Sequence, residues 1–431
     1  MKKVLSLLLL TVFLVMTLAA CGQTVTTTTA PVTTGSTEVN NGEPVTIKYL
    51  DWTKADQVIQ TVTEAYMKEY KNVKVEIEFV PNDQFTTVLK TKVISGDAPD
   101  VFGMLVGSDL EEYAKAGYVL DLSNEPYIKD FGNSALDTAT VDGKIYALPT
   151  KINASGVFYN KKMFEDYKLS VPQSWEEFLS VCETIKGKGI IPIAQGHKTA
   201  WASLIIPYEI IAQTLYYQNA TIYDDFISGK AKFNETGWND AVTKYRELWQ
   251  KGYFNEDFLA TDYAQSVALF TNRQAAMVIV PTWALPLVNK GENTSDFGYF
   301  AFKMKKDNRP MSFGMVASAL CLSSSSKNLD VAKHYLTYWT KDDNWSQISG
   351  TQAVPTKTTI KANYDPIIKD YIESLDLDTD ITSIDKGWPL GVQPILLKGY
   401  SEMFAAGREP SAFLEEMDQE WARYRKEQAG N

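Results

Sequence analysis

Few residues in this chain could carry out bond-breaking chemistry. Its 431 residues include two histidines, His197 and His334, and three cysteines, Cys21, Cys182 and Cys321. The histidines are far apart in sequence and suggest no serine–histidine–aspartate order. No His, Cys and carboxylate cluster has metal-ligand spacing, so no metal and no other cofactor is expected. No glycine-rich phosphate loop is present either. Carboxylates are plentiful, and Asp97 and Asp100 form a tempting pair of the kind that divides acid and base roles in glycoside hydrolysis. The aromatic side chains, ten Trp and 23 Tyr, offer flat apolar faces. Their number decides nothing, because most must be core or surface; their position in the fold does more.

The elements that would position them follow from periodicity. Val45, Ile47 and Tyr49 alternate with polar residues as in a strand. Val58, Ile59, Val62, Ala65 and Tyr66 recur at helical spacing, and Val73 to Phe79 alternates again. A helical run from Phe85 to Ile94 leads to a short strand at Asp100 to Met104. Strand and helix in alternation over about sixty residues imply a parallel sheet with crossover helices. Ligands bind such sheets beyond the carboxyl ends of the strands, which directs attention to Asp51–Asp56 and Gly103–Asp109. The pattern begins afresh after residue 155, with strands at Gly156–Tyr159, Ile190–Ala194 and Ala275–Val280, the last delivering Trp283. Ser174 and Glu177 form a capping box at a helix start. Ser312 to Leu322 reads as a strand, Leu329 to Trp339 as a helix, and the last eighty residues as mainly helical.

The amino terminus sets the compartment. Lys2 and Lys3 precede an apolar run from Val4 to Leu18 and small residues at Ala19 and Ala20, as in a secretory signal. Leu18-Ala19-Ala20-Cys21 resembles the bacterial lipoprotein signal, in which the cysteine thiol takes lipid as a thioether. Residues 1–20 are thus expected to be removed, leaving lipidated Cys21 at the extracytoplasmic face of the cell membrane. Residues 21–44 are Thr-rich and almost free of large apolar side chains, so they read as a disordered tether. Losing Lys2 and Lys3 takes the formal charge from -11 to -13. That balance argues against nucleic acid or anionic lipid as the main partner. Cys182 and Cys321 lie in apolar contexts and are expected to be buried free thiols.

Several spaced motifs carry a resemblance. They are Ser95-Gly96-Asp97-Ala98-Pro99-Asp100-Val101, Val141-Asp142-Gly143-Lys144-Ile145-Tyr146-Ala147-Leu148-Pro149 and Phe158-Tyr159-Asn160-Lys161-Lys162-Met163-Phe164. Pro172 to Phe178, Gly189 to Ile193, Phe270 to Trp283, Asp330-Val331-Ala332 and Trp421 continue the series. In this order they resemble family 1 extracellular solute-binding proteins of ABC importers, the group that includes maltose-binding protein, across nearly all of 45–431. One departure is Asn272-Arg273-Gln274, where relatives often have a glycine before the Ala-Ala-Met.

The resemblance implies an α/β, two-lobed periplasmic-binding-protein-like fold with a cleft between the lobes. Lobe 1 would comprise 45–150 plus 303–352, and lobe 2 would comprise 151–302 plus 353–431. The crossings are expected near 149–153, 299–304 and 351–357. A monomer would trap a mono- or oligosaccharide and pass it to the transmembrane subunits of an ABC permease. Stacking or contact positions would then be Trp52, Met104, Trp201, Trp283, Phe313, Gly314 and Trp388. Lys54, Asp56, Asp109 and Asn153 would bond hydroxyls, although Asp109 reads equally as a helix cap. Under this reading Asp97 and Asp100 become structural, and His334 a helix residue. Two alternatives stay open: a binder of another solute, such as a peptide or polyamine, and an exported glycoside hydrolase.

Overall fold

The computed structural model describes residues 39–52, 57–219, 221–316, 318–376, 381–382, 384–385, 388–389 and 391–429. The expectations for the signal, Cys21, the tether through residue 38, Lys54 and Asp56 lie outside these residues.

The first lobe is organised by β1 (Val45–Asp51), whose Ile47 and Tyr49 are buried against the helix Gln57–Glu69. It pairs in parallel with β2 (Val73–Phe79) from Val45↔Val73 to Asp51↔Phe79, and with β3 (Val101–Met104). The sheet is completed by β13 (Ala319–Leu322), antiparallel to both β3 and β6 (Leu148–Pro149), in the order β2-β1-β3-β13-β6. The Val-Asp-Gly-Lys motif turns a small ladder of β4 (Thr140–Val141) and β5 (Lys144–Ile145). Asp142 and Gly143 both have positive φ there, 49° and 75°, the geometry that favours Asp-Gly in a two-residue hairpin.

In the second lobe, β8 (Val157–Asn160), β9 (Ile191–Ala194), β10 (Ala275–Ile279) and β11 (Phe297–Phe300) form a sheet in the order β11-β8-β10-β9. One large core covers this sheet and the helices around it. Two smaller cores serve the first lobe. Cys182 lies in the large core and Cys321 in one of the smaller ones; both are free and buried.

The lobes meet at a third sheet, ordered β14-β7-β12-β15, in which β7 (Lys151–Ala154), β12 (Ser312–Val316) and β14 (Val354–Pro355) are crossing segments and β15 is Ile381–Thr382. Between β11 and β12, Phe302, Met304 and Met311 pack in the large core. The third crossing is pinned to the first by Thr356, whose hydroxyl lies 2.6 Å from the Pro149 carbonyl oxygen, to which it donates, and accepts from the Trp345 indole at 3.1 Å. Lys357, buried beside it, donates to the Thr340 carbonyl at 2.6 Å and pairs with Asp342.

Thr356→Val keeps the shape and strands a buried indole donor and a carbonyl. A loss of about 1–3 kcal/mol is expected, read as a lower urea midpoint with an unchanged slope.

Candidate functional site

The ends of β1 and β3 create the first wall of an interlobe cavity. Tyr49 donates its phenolic hydrogen to Asp51 Oδ2 at 2.9 Å, and Trp52 follows directly, set edge-on against Phe85 with centroids 4.7 Å apart. Gly103 makes this possible. A β-carbon there would come within 2.7 Å of Asp51 Oδ2 and 2.9 Å of the Trp52 ring, so only the residue without a side chain lets β3 run beside them.

The crossing strands supply the floor through Lys151, Asn153 and Phe313. Asn153 is fully buried. Its Oδ1 accepts from Thr282 at 3.4 Å, while its Nδ2 donor has no partner among the described residues. A buried amide donor left unused costs free energy unless something in the cavity accepts from it.

The second lobe gives an aromatic corner. β10 runs into the turn Thr282–Ala284 that presents Trp283, and Trp201 projects from the turn Ala200–Leu204. The ring centroids of Trp201 lie 5.8 Å from Trp283 and 4.9 Å from Tyr263. Tyr263 begins a helix fixed by a full capping box between Asp262 and Gln265. Beside this corner, Asp385 accepts from Gln393 Nε2 at 2.6 Å and from the Tyr208 hydroxyl at 3.2 Å. Burial holds its carboxyl above the usual carboxylate range, against the lowering effect of those two donors. The whole space is about 540 Å³, within the range of small-molecule sites.

Of the residues singled out from sequence, Trp52, Asn153, Trp201, Trp283 and Phe313 therefore come together around one cavity. Four others do not line it. Met104 is buried in a first-lobe core and paired with Ala319, and from its loop Leu105 reaches the cavity instead. Asp109 sits in the first turn of the helix Ser108–Lys115, one residue past its first position, and Gly107 rather than Asp109 is the cap. Burial and the neighbouring Glu112 raise its carboxyl. Gly314 is paired with Ala154 inside the crossing sheet. Trp388 is only 3% exposed and packs among Phe233, Trp238 and Trp421, one layer behind Tyr208.

Asp51, Lys151, Tyr208, Tyr263, Asp385 and Gln393 were not singled out. Asp51 lay in the strand-end window and was legible. Asp385 is three residues before Trp388, on the same loop, and only the packing reveals which of the two faces the cavity.

The carboxylate pair is spent on structure. Asp100 accepts from the Lys48 backbone N–H at 2.7 Å and from the Ser326 hydroxyl at 2.5 Å, and Asp97 pairs with the Lys48 ammonium at 2.7 Å. His197 is buried, contacts Ser401 at 3.2 Å and is pushed down to about 4 by burial. His334 meets the Tyr66 hydroxyl at 3.0 Å. Among the described residues no group of His, Cys, Asp and Glu is arranged to hold a metal ion.

Residues 51–344 match the protein family described as "Bacterial extracellular solute-binding protein". The "Multiple sugar-binding protein" of Streptococcus mutans is 28% identical over 302 residues, covering 69% of this chain and 71% of its own. The "Maltodextrin-binding protein MdxE" of Bacillus subtilis is 24% identical over 329 residues, covering 71% and 74%. Among solved structures, a "Chitin oligosaccharide binding protein" superposes with a TM-score of 0.79 at 23% identity, covering 89% of this chain and 99% of that one. "SBP RafE in complex with raffinose" superposes with a TM-score of 0.74 at 22% identity, covering 87% and 98%. These superpositions bear on the fold, which they give as two-lobed α/β.

Proposed function

The chain belongs to the bacterial extracellular solute-binding protein family, and on that premise we propose that it captures a mono- or oligosaccharide in the interlobe cavity and delivers it to an ABC permease. It is a binding protein rather than an enzyme, as its family is.

One observation carries the carbohydrate reading. The indoles of Trp201 and Trp283 and the ring of Tyr263 form a corner of the same cavity that Asn153, with its unused amide donor, helps to line. The faces of a pyranose ring bear apolar C–H groups, which suit flat aromatic surface. Its rim of hydroxyls and ring oxygen suits an amide donor and the acceptors Asp51 and Asp385. Only contacts made with both lobes at once distinguish a closed from an open form, and that difference in affinity is what closure draws on. The names of the sugar-binding relatives support the same class of cargo.

The finer location is read from sequence. Leu18-Ala19-Ala20-Cys21 supplies the lipid attachment, and the Thr-rich segment to residue 44 would let a monomeric body stand off from the outer face of the membrane. Two or more acyl chains hold a protein there stably where one does not.

A thermal-shift screen across mono- and oligosaccharides tests the cargo. A sugar present at 100 times its Kd stabilises the fold by about 2.7 kcal/mol. A shift with peptides or polyamines and with no sugar would sink the carbohydrate reading. Trp283→Ala should weaken the best sugar about tenfold, ~1.4 kcal/mol, with little change in the unliganded melting temperature; unaltered affinity would remove Trp283 from the site. Cys21→Ser should move the protein from the membrane fraction to the medium and abolish labelling by an alkynyl fatty acid, and continued membrane retention would count against the anchor.

A further inference from the structure

The helix Ile205–Ile211 contributes Ile205 and Tyr208 to the cavity wall. Glu209, the next residue, is fully buried and engages the crossing strand instead: its Oε1 accepts the Phe313 backbone N–H at 3.1 Å. Phe313 itself lines the cavity and stands 5.1 Å, ring to ring, from Tyr208. One turn further on, the helix widens into a π turn over Ala212–Tyr216, a distortion that often accompanies functional sites. There Gln213 donates its side-chain amide to the Met311 carbonyl, and Asn308 donates to the Gln213 carbonyl at 3.3 Å.

The other side of the junction is equally tied. The Ser155 backbone N–H donates to the Ser312 hydroxyl at 2.7 Å and to the Phe313 carbonyl at 2.9 Å, and Tyr371 donates to the Ser155 carbonyl at 2.6 Å. The Ser155 side chain lies beside the Glu209 carboxyl.

We propose that Glu209 is a positioning residue for ligand capture, its carboxyl pinning the cavity-lining helix 205–216 to the crossing strand that carries Phe313. The titratable groups around it are tyrosines: Tyr299 from β11, Tyr371 across Ser155, and Tyr208 on its own helix. No cation is among the groups that act on it, and burial pushes it up to about 8, against the lowering effect of the Ser155 side chain and the Phe313 N–H. At neutral pH it is therefore a neutral acid. As pH rises through about 8 the proton is lost, and an unpaired charge in a dry site is costly. The side chain then draws toward water, and the pin between wall and strand is released. If the ionised form does not bind, affinity should be nearly unchanged from pH 6 to 7 and fall about tenfold between pH 7 and 9.

The binding arm of the test rests on the carbohydrate reading, and the structural arm does not. In the full chain, hydrogen exchange across 309–316, corrected for intrinsic base catalysis, should accelerate about tenfold between pH 7 and 9. With Glu209→Gln, which cannot ionise, it should keep a flat profile; Glu209→Leu, which lacks the acceptor, should exchange fast at both. With raffinose as the calorimetric probe, the unmodified chain should lose affinity about tenfold over the same interval and Glu209→Gln should not. An equal pH response in the unmodified chain and Glu209→Gln overturns the proposal, as does slow exchange in Glu209→Leu at pH 7. If raffinose gives no heat with either protein, the exchange data alone decide, and the carbohydrate reading is judged by the wider sugar screen.

Discussion

The junction between the lobes has to satisfy its own backbone. Three strands pass from one lobe to the other through a narrow buried region, and every N–H and C=O there needs a partner or costs free energy. The solution is to let the crossings pair with one another: β7 joins β14 on one side and β12 on the other, and β12 joins β15. Much else follows from that ladder. It places Lys151, Asn153 and Phe313 at the floor of the cavity, between the residues that the other two main sheets bring to the same space. Side chains such as Thr356 and Ser312 add bonds that backbone pairing alone leaves open.

The distribution of polar groups around the cavity reflects the same need. Carboxylates distant from it are spent on tying strands to loops, as at Asp100, or on surface ion pairs, as at Asp97. Those at its walls, Asp51 and Asp385, are each held in place by a tyrosine hydroxyl. A carboxylate fixed in place at a cavity wall is suited to accept from a hydroxyl donor. Abundant acidic residues thus need not imply acid–base chemistry.

Much of this was legible in the sequence because strand ends are legible. Trp52 and Trp283 each stand just beyond a strand whose alternation or apolar run is clear, and in sheets of this kind such positions face ligand space; Asn153 was reached through the family resemblance alone. Legibility failed where a residue's role depends on packing between distant helices. Trp388 looked like an aromatic on a late loop, and its burial follows only from the approach of Trp238 and Trp421. A related case is 301–311, which carries no strong periodicity, so that nothing local says that Phe302 and Met304 belong to the large core.

The pair formed by Trp201 and Trp283 also has an optical side. Two indoles 5.8 Å apart and inclined at 75° at the edge of the cavity share an environment that any arriving solute must alter. Trp238, Trp345 and Trp421 are shut away in the cores and emit as a constant background. The protein therefore carries its own fluorophore at the point of capture, and occupancy can be followed by tryptophan emission without attaching a dye.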